Sequence, residues 1–149
     1  MEYASIEREI HIDAPPEVVF EVITSPAHIR DWWYAETKLE ARAGATGTLT
    51  WGEQDHVTPV TVVAADPPRL FSFRWAYDAD AEVAPEDSLL VTFELVAAGE
   101  GTTLRLTETG FREQGWEAAV LEEQYREHST GWDTFVARID EHAMSLVAR

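Results

Sequence analysis

The chain has 149 residues, 45% apolar and 11% aromatic, with no cysteine; one domain of that size can bury a substantial core. Eleven basic residues against 28 acidic ones leave a net charge of -17, a field that repels phosphate backbones and anionic membrane surfaces and so argues against a nucleic-acid or membrane partner. The absence of cysteine removes disulfide frameworks, thiol nucleophiles and thiolate metal sites.

Met1-Glu2-Tyr3-Ala4 lacks the basic and apolar regions of a secretory signal. No stretch approaches the roughly 18 continuous apolar residues that cross a bilayer. The default is a soluble cytoplasmic protein. Alternation from Ala4 to Ile12 reads as a half-buried strand, with Ile6, Ile10 and Ile12 on one side and Arg8 interrupting them. Asp13 is the expected N-cap of a short helix opened by Pro15-Pro16, with Val18, Val19, Val22 and Ile23 as its apolar face. Ser25-Pro26 stops that helix and starts another, from Ala27 to Trp33.

Beyond Trp33 the period changes to two. Strands are expected over Lys38–Arg42, Thr46–Glu53, Val57–Ala65, Leu70–Tyr77, Ser88–Ala97 and Thr102–Thr109. Gly44, Asp66-Pro67-Pro68 and Gly99-Glu100-Gly101 punctuate them, so they read as an antiparallel meander. His56 falls in an apparent turn, and the acidic stretch Asp78–Asp87 reads as a mobile loop. Leu121, Tyr125, His128, Trp132, Phe135, Ile139, His142 and Leu146 recur at steps of three and four, the stripe of one long helix. Gly131 inside it permits a kink or the close approach of a strand. No linker or repeat interrupts residues 1–149, which read as a single domain.

Phe71, Phe73, Trp75 and Tyr77 share one face of their strand; Leu89, Val91, Phe93 and Leu95 share one face of the next. The helical stripe is the natural cover for this aromatic surface. Each ring alone reads as core. Taken together, the six tryptophans Trp32, Trp33, Trp51, Trp75, Trp116 and Trp132 read as walls of an apolar cavity.

Ile10-His11-Ile12-Asp13-Ala14-Pro15-Pro16-Glu17-Val18-Val19-Phe20, Trp32-Trp33, Pro67-Pro68-Arg69-Leu70, Phe73-Arg74-Trp75, Thr103 through Phe111 and Gly131-Trp132 occur in order along nearly the whole chain. In these motifs the sequence resembles the START-like (SRPBCC) superfamily, and within it the family of heat-shock-protein-90 ATPase activator homologues. The resemblance implies an α+β helix-grip fold: a curved antiparallel sheet of six or seven strands around a long C-terminal helix, with two short helices after the first strand and an internal apolar cavity. It also implies roles ranging from co-chaperone-like domains to carriers of hydrophobic ligands. It brings no catalytic set.

Glu108 is the sharpest polar anomaly, because alternation puts it beside Leu104 and Leu106 on the inward face. A buried carboxylate there would contact a ligand or move a proton; a strand that ends at this point would let it reach water instead. His128 lies on the stripe and reads first as a satisfied semi-core residue. The five histidines are scattered without metal-ligand spacing, and no nucleophile elbow or phosphate loop is present. No metal or cofactor is expected.

The leading expectation is therefore a non-catalytic carrier or sensor of a small hydrophobic or aromatic molecule. Its candidate ligand-binding residues are Trp32, Trp33, Trp51, Phe73, Trp75, Tyr77, Phe93, Glu108, Tyr125, His128, Trp132 and Phe135. The alternatives are a cyclase- or hydrolase-like enzyme using the same cavity and a co-chaperone-like modulator of a protein partner. Monomer and homodimer are equally compatible with the sequence.

Overall fold

A computed structural model describes residues 5–51, 56–76, 88–114 and 116–147. Strand β1 (Ser5–Ile12) leads into helices α1 (Pro16–Thr24) and α2 (Pro26–Trp33). Strands β2 (Glu36–Lys38), β3 (Thr46–Trp51), β4 (His56–Asp66), β5 (Leu70–Ala76), β6 (Ser88–Ala98) and β7 (Gly101–Thr109) follow. A 3-10 turn (Arg112–Gln114) then leads to helix α3 (Ala118–Val147). The strands form one antiparallel sheet in the order β1-β7-β6-β5-β4-β3-β2. This is the helix-grip α+β architecture expected from the sequence.

The two prolines set the helix starts. Pro15 is the N-cap of α1, its carbonyl accepting the Val18 N–H at 3.0 Å and the Val19 N–H at 3.2 Å. Asp13, expected in that role, lies two residues too early and instead meets His11 Nε2 at 3.1 Å. Ser25 precedes Pro26 and is therefore extended (φ -79, ψ 127), which ends α1 and caps α2. Thr24 Oγ1 donates to the Phe20 carbonyl at 2.7 Å, so this buried hydroxyl carries no orphaned donor.

Within the described residues the period-two readings hold with two corrections, and the ends at Glu53 and Tyr77 lie outside them. The second strand is Glu36–Lys38 rather than Lys38–Arg42. Beyond Lys38 the chain turns so that the Gly44 N–H reaches the Val62 carbonyl at 2.8 Å, leaving residues 40–43 unable to pair with β3. His56, expected in a turn, opens β4 opposite Trp51. The segment 78–87, read as a loop, lies outside the described residues.

Inward rows from the strands meet α3. Phe71, Phe73, Leu89, Val91, Phe93, Leu95, Leu104 and Leu106 are buried from the sheet, and Trp132, Val136, Ile139 and Ala143 from the helix. Burial of such apolar area contributes roughly 25 cal/mol per Å². Arg8, the polar interruption in β1, clamps that strand to α3: its Nε donates to Asp133 Oδ1 at 2.6 Å and its Nη2 to Ser129 Oγ at 2.7 Å. The Tyr125 hydroxyl adds a bond to the Ser5 carbonyl at 2.7 Å. At Gly131 α3 neither breaks nor meets a strand; the nearest side chain to a Cβ there would be Phe135, one turn on. Among the described residues no helix is long and apolar enough to cross a membrane.

Candidate functional site

Strand alternation carries Glu108 inward, and the structure leaves it 0% exposed. Three ring nitrogens converge on its carboxylate. Trp75 Nε1 from β5 donates to Oε2 at 2.8 Å, and Trp132 Nε1 from α3 donates to Oε1 at 2.9 Å. His128 Nδ1, one turn before Trp132, lies 2.9 Å from Oε1. An indole N–H only donates and a carboxylate accepts at both oxygens, so this group is paired where an isolated carboxylate would be costly. The reading in which Glu108 escapes to water at a strand end is thereby excluded. Both oxygens are engaged, and the residue ties β5, β7 and α3 together.

Around this polar knot the rings pack on one another. Trp32 and Trp33 stack at 5.1 Å with their planes 9° apart, and the Trp32 N–H is satisfied by the Val22 carbonyl at 2.8 Å. Trp33 also lies 5.1 Å from Trp75, 5.4 Å from Trp132 and 6.0 Å from Phe135. His128 meets Trp75 and Phe111 edge-on at 5.6 and 5.4 Å. The enclosed space between Trp32, Trp33, Leu49, Phe71, Phe73 and Phe93 amounts to about 10 Å³, the room of one water. Among the described residues these aromatics pack closely and leave only this small space between them.

A second space opens outward. A groove of about 680 Å³ runs between the end of α2 and the middle of α3, bordered by Trp33, Tyr34, Thr130, Gly131, Phe135 and Arg138, with Arg126 and Glu127 at its edge. Gly131 forms part of the wall of this groove, and a Cβ there would lie 3.3 Å from Phe135 Cε2. Tyr34 closes α2 in the left-handed conformation (φ 59, ψ 30), its N–H bonded to the Arg30 carbonyl at 3.0 Å. For a bulky residue that conformation is strained by about 1 kcal/mol or more. The residue is 61% exposed, and the Arg138 guanidinium sits 4.2 Å above its ring. The surrounding structure thus holds an exposed aromatic ring in place against its backbone preference.

The structure brings most of the expected residues into one neighbourhood but divides their roles. Trp33 and Phe135 border the groove; Trp32, Phe73, Phe93 and Trp132 are buried behind it. Trp75, Glu108 and His128 form the polar knot, and Tyr125 is occupied with β1. Trp51 ends β3 opposite His56, and Tyr77 lies outside the described residues. Sequence reasoning missed Tyr34, Thr130 and Arg138, since polar or half-exposed residues at a helix end and off the apolar helix stripe carry no periodic signal.

The model of the family described as Activator of Hsp90 ATPase homolog 1-like protein matches residues 13–143. None of the curated proteins matches the chain. Among solved structures, protein MLL2253 from Mesorhizobium loti is 25% identical with a TM-score of 0.76, covering 93% of this chain and 95% of its own. The Aha1 dimer from Colwellia psychrerythraea is 16% identical with a TM-score of 0.70, over 92% and 93% of the two chains. CalU16 from Micromonospora echinospora is 23% identical with a TM-score of 0.64, over 97% and 86%. The last two show a shared fold alone. With the strand–helix–helix opening, the sheet order and a family match over most of its length, the chain belongs to the Activator of Hsp90 ATPase homolog 1-like family.

Proposed function

We propose that the protein is a non-catalytic binder of a small aromatic or hydrophobic molecule, held in the groove between α2 and α3 rather than in a sealed interior cavity. The observation that carries this reading is the exposed Tyr34 ring, fixed in a strained backbone conformation beside a groove of about 680 Å³. That volume falls within the range of small-molecule pockets, and strain of this kind gathers at ligand clamps. Phe135 and the small exposed part of Trp33 supply apolar surface, while Arg138, seated over the Tyr34 ring, favours a ligand with an acidic edge. Glu108 acts as the support behind the wall, because it fixes Trp75 and Trp132, which flank Trp33.

Anilinonaphthalenesulfonate, an aromatic anion, is a suitable probe. It is expected to bind saturably at one site per chain, with Tyr34→Gly and Phe135→Ala each weakening it about tenfold. Tyr34→Gly also relieves the left-handed strain, so its thermal midpoint should not fall below that of the parent. A non-saturating response, or one unchanged in both variants, would refute the groove as the site.

An enzymatic reading draws on a separate observation, the Glu108–His128 pair, in which a carboxylate holding one imidazole nitrogen leaves the other to exchange protons. It predicts that His128→Gln abolishes turnover of a cyclisable substrate while sparing probe binding. Loss of neither would remove it.

A further inference from the structure

We propose that His28, Asp31 and His142 form a site for a divalent transition metal of the zinc type, clamping α2 to the C-terminal part of α3. His28 and Asp31 are three residues apart on α2, so they are neighbours on one helix face. His142 meets them from α3. His28 Nδ1 lies 2.8 Å from His142 Nε2, which lies 3.7 Å from Asp31 Oδ2, and one ligand atom from each residue falls within 4.8 Å of the other two. The ring centroids are 5.0 Å apart with planes inclined at 60°, so the rings approach nitrogen to nitrogen.

Two imidazole nitrogens at this distance share one proton, one donating and the other accepting. A metal ion takes the place of that proton, which moves to the other nitrogen of the donor ring, so that both rings act as neutral ligands. Tetrahedral zinc with bonds of about 2.0–2.2 Å spaces its ligands roughly 3.3 Å apart. The histidine pair must therefore open by about half an ångström and Asp31 must swing inward. Asp31 has the freedom to do so, since its side chain is 57% exposed, while the two histidines are held at 22% and 20%.

A second, independent placement supports the site. Glu21 Oε1 from α1 lies 4.0 Å from His28 Nε2, the nitrogen left over once Nδ1 ligates. A carboxylate behind a ligating histidine fixes its tautomer and ring orientation. Two nitrogens and one oxygen suit zinc, cobalt, nickel or copper, whereas calcium and magnesium call for oxygen-rich shells. The net charge of -17 raises the local cation concentration. This inference does not depend on the groove.

The test is a titration of tag-free, chelator-treated protein with Co²⁺ at neutral pH, followed by displacement with Zn²⁺. One equivalent of Co²⁺ should develop ligand-field absorption, and Zn²⁺ should bleach it and raise the thermal midpoint. His28→Ala and His142→Ala should each weaken binding at least tenfold, Asp31→Asn less, and Glu21→Gln by a smaller factor still. Circular dichroism checks the fold of each variant. If a histidine variant fails to fold, the surface substitution Asp31→Asn carries the comparison, with His11→Ala as the control that leaves affinity unchanged. No binding at millimolar metal, or affinity unaltered in the folded variants of this cluster, overturns the proposal.

Discussion

Glu108 holds three ring nitrogens with two oxygens, and a change of one atom in its side chain breaks that arrangement. In Glu108→Gln one acceptor becomes an NH₂ donor and faces an N–H it cannot satisfy. The expected cost is about 2–3 kcal/mol, read from urea unfolding, because buried bonds to a charged acceptor exceed neutral ones and an orphaned donor adds its own penalty. Unchanged stability would show that the knot holds nothing together. Asp140 behaves differently. Burial first, then Asp13 and Glu141, push its carboxyl above the usual carboxylate range, with His11 opposing in part. A carboxyl with a raised native pKa binds its proton more readily in the folded chain. Stability is therefore greatest below the unfolded value and is lost as pH rises from there through the folded value. Asp140→Asn should raise the thermal midpoint slightly at neutral pH and should be neutral near pH 3. Melting curves of both proteins across pH test the sign.

Two glycines separate at the level of elements. Gly47 in β3 lies against the backbone of β2, and a Cβ there would sit 1.9 Å from the Lys38 carbonyl oxygen. Backbone cannot yield as a side chain does. Gly47→Ala should cost about 2 kcal/mol or more and detach the short β2, visible as faster amide exchange at Glu36–Lys38. Gly131 in α3 faces the Phe135 ring, which is half-buried at the groove and free to shift by the few tenths of an ångström required. Gly131→Ala should therefore gain helix propensity, stabilising by up to about 1 kcal/mol, while narrowing the groove and weakening probe binding. Improved stability with undiminished binding would separate Gly131 from the ligand site.

At the scale of the molecule, 28 acidic residues against 11 basic ones repel one another in the compact state. Raising salt from about 10 mM to about 0.5 M shortens the screening length from roughly 30 Å to under 5 Å. The thermal midpoint should rise accordingly, despite weakening of exposed pairs such as Arg42–Glu40 and Arg126–Glu122. A midpoint that falls with salt would mean that local ion pairs outweigh the net charge. The clamps from Arg8 to Asp133 and from Tyr125 to Ser5 join β1 to α3, so both ends of the described chain contribute to one core.

Local periodicity makes the order of elements, the aromatic rows and the inward aim of Glu108 legible in the sequence, because each depends on residues two to four positions apart. Pro15, Pro16 and Pro26 likewise announce the two short helices, since a ring that fixes φ acts wherever the chain goes. The donors to Glu108 come from positions 20, 24 and 33 residues distant, and His28 meets His142 across 114. No pattern of spacing encodes those meetings; they follow from where α3 crosses the sheet and where α2 ends. The left-handed turn at Tyr34 likewise belongs to the place where α2 ends, its N–H closing on the Arg30 carbonyl. Pattern thus determines which faces must be buried. The angle and height at which helix meets sheet decide which rings fill the interior and which are left to border a groove.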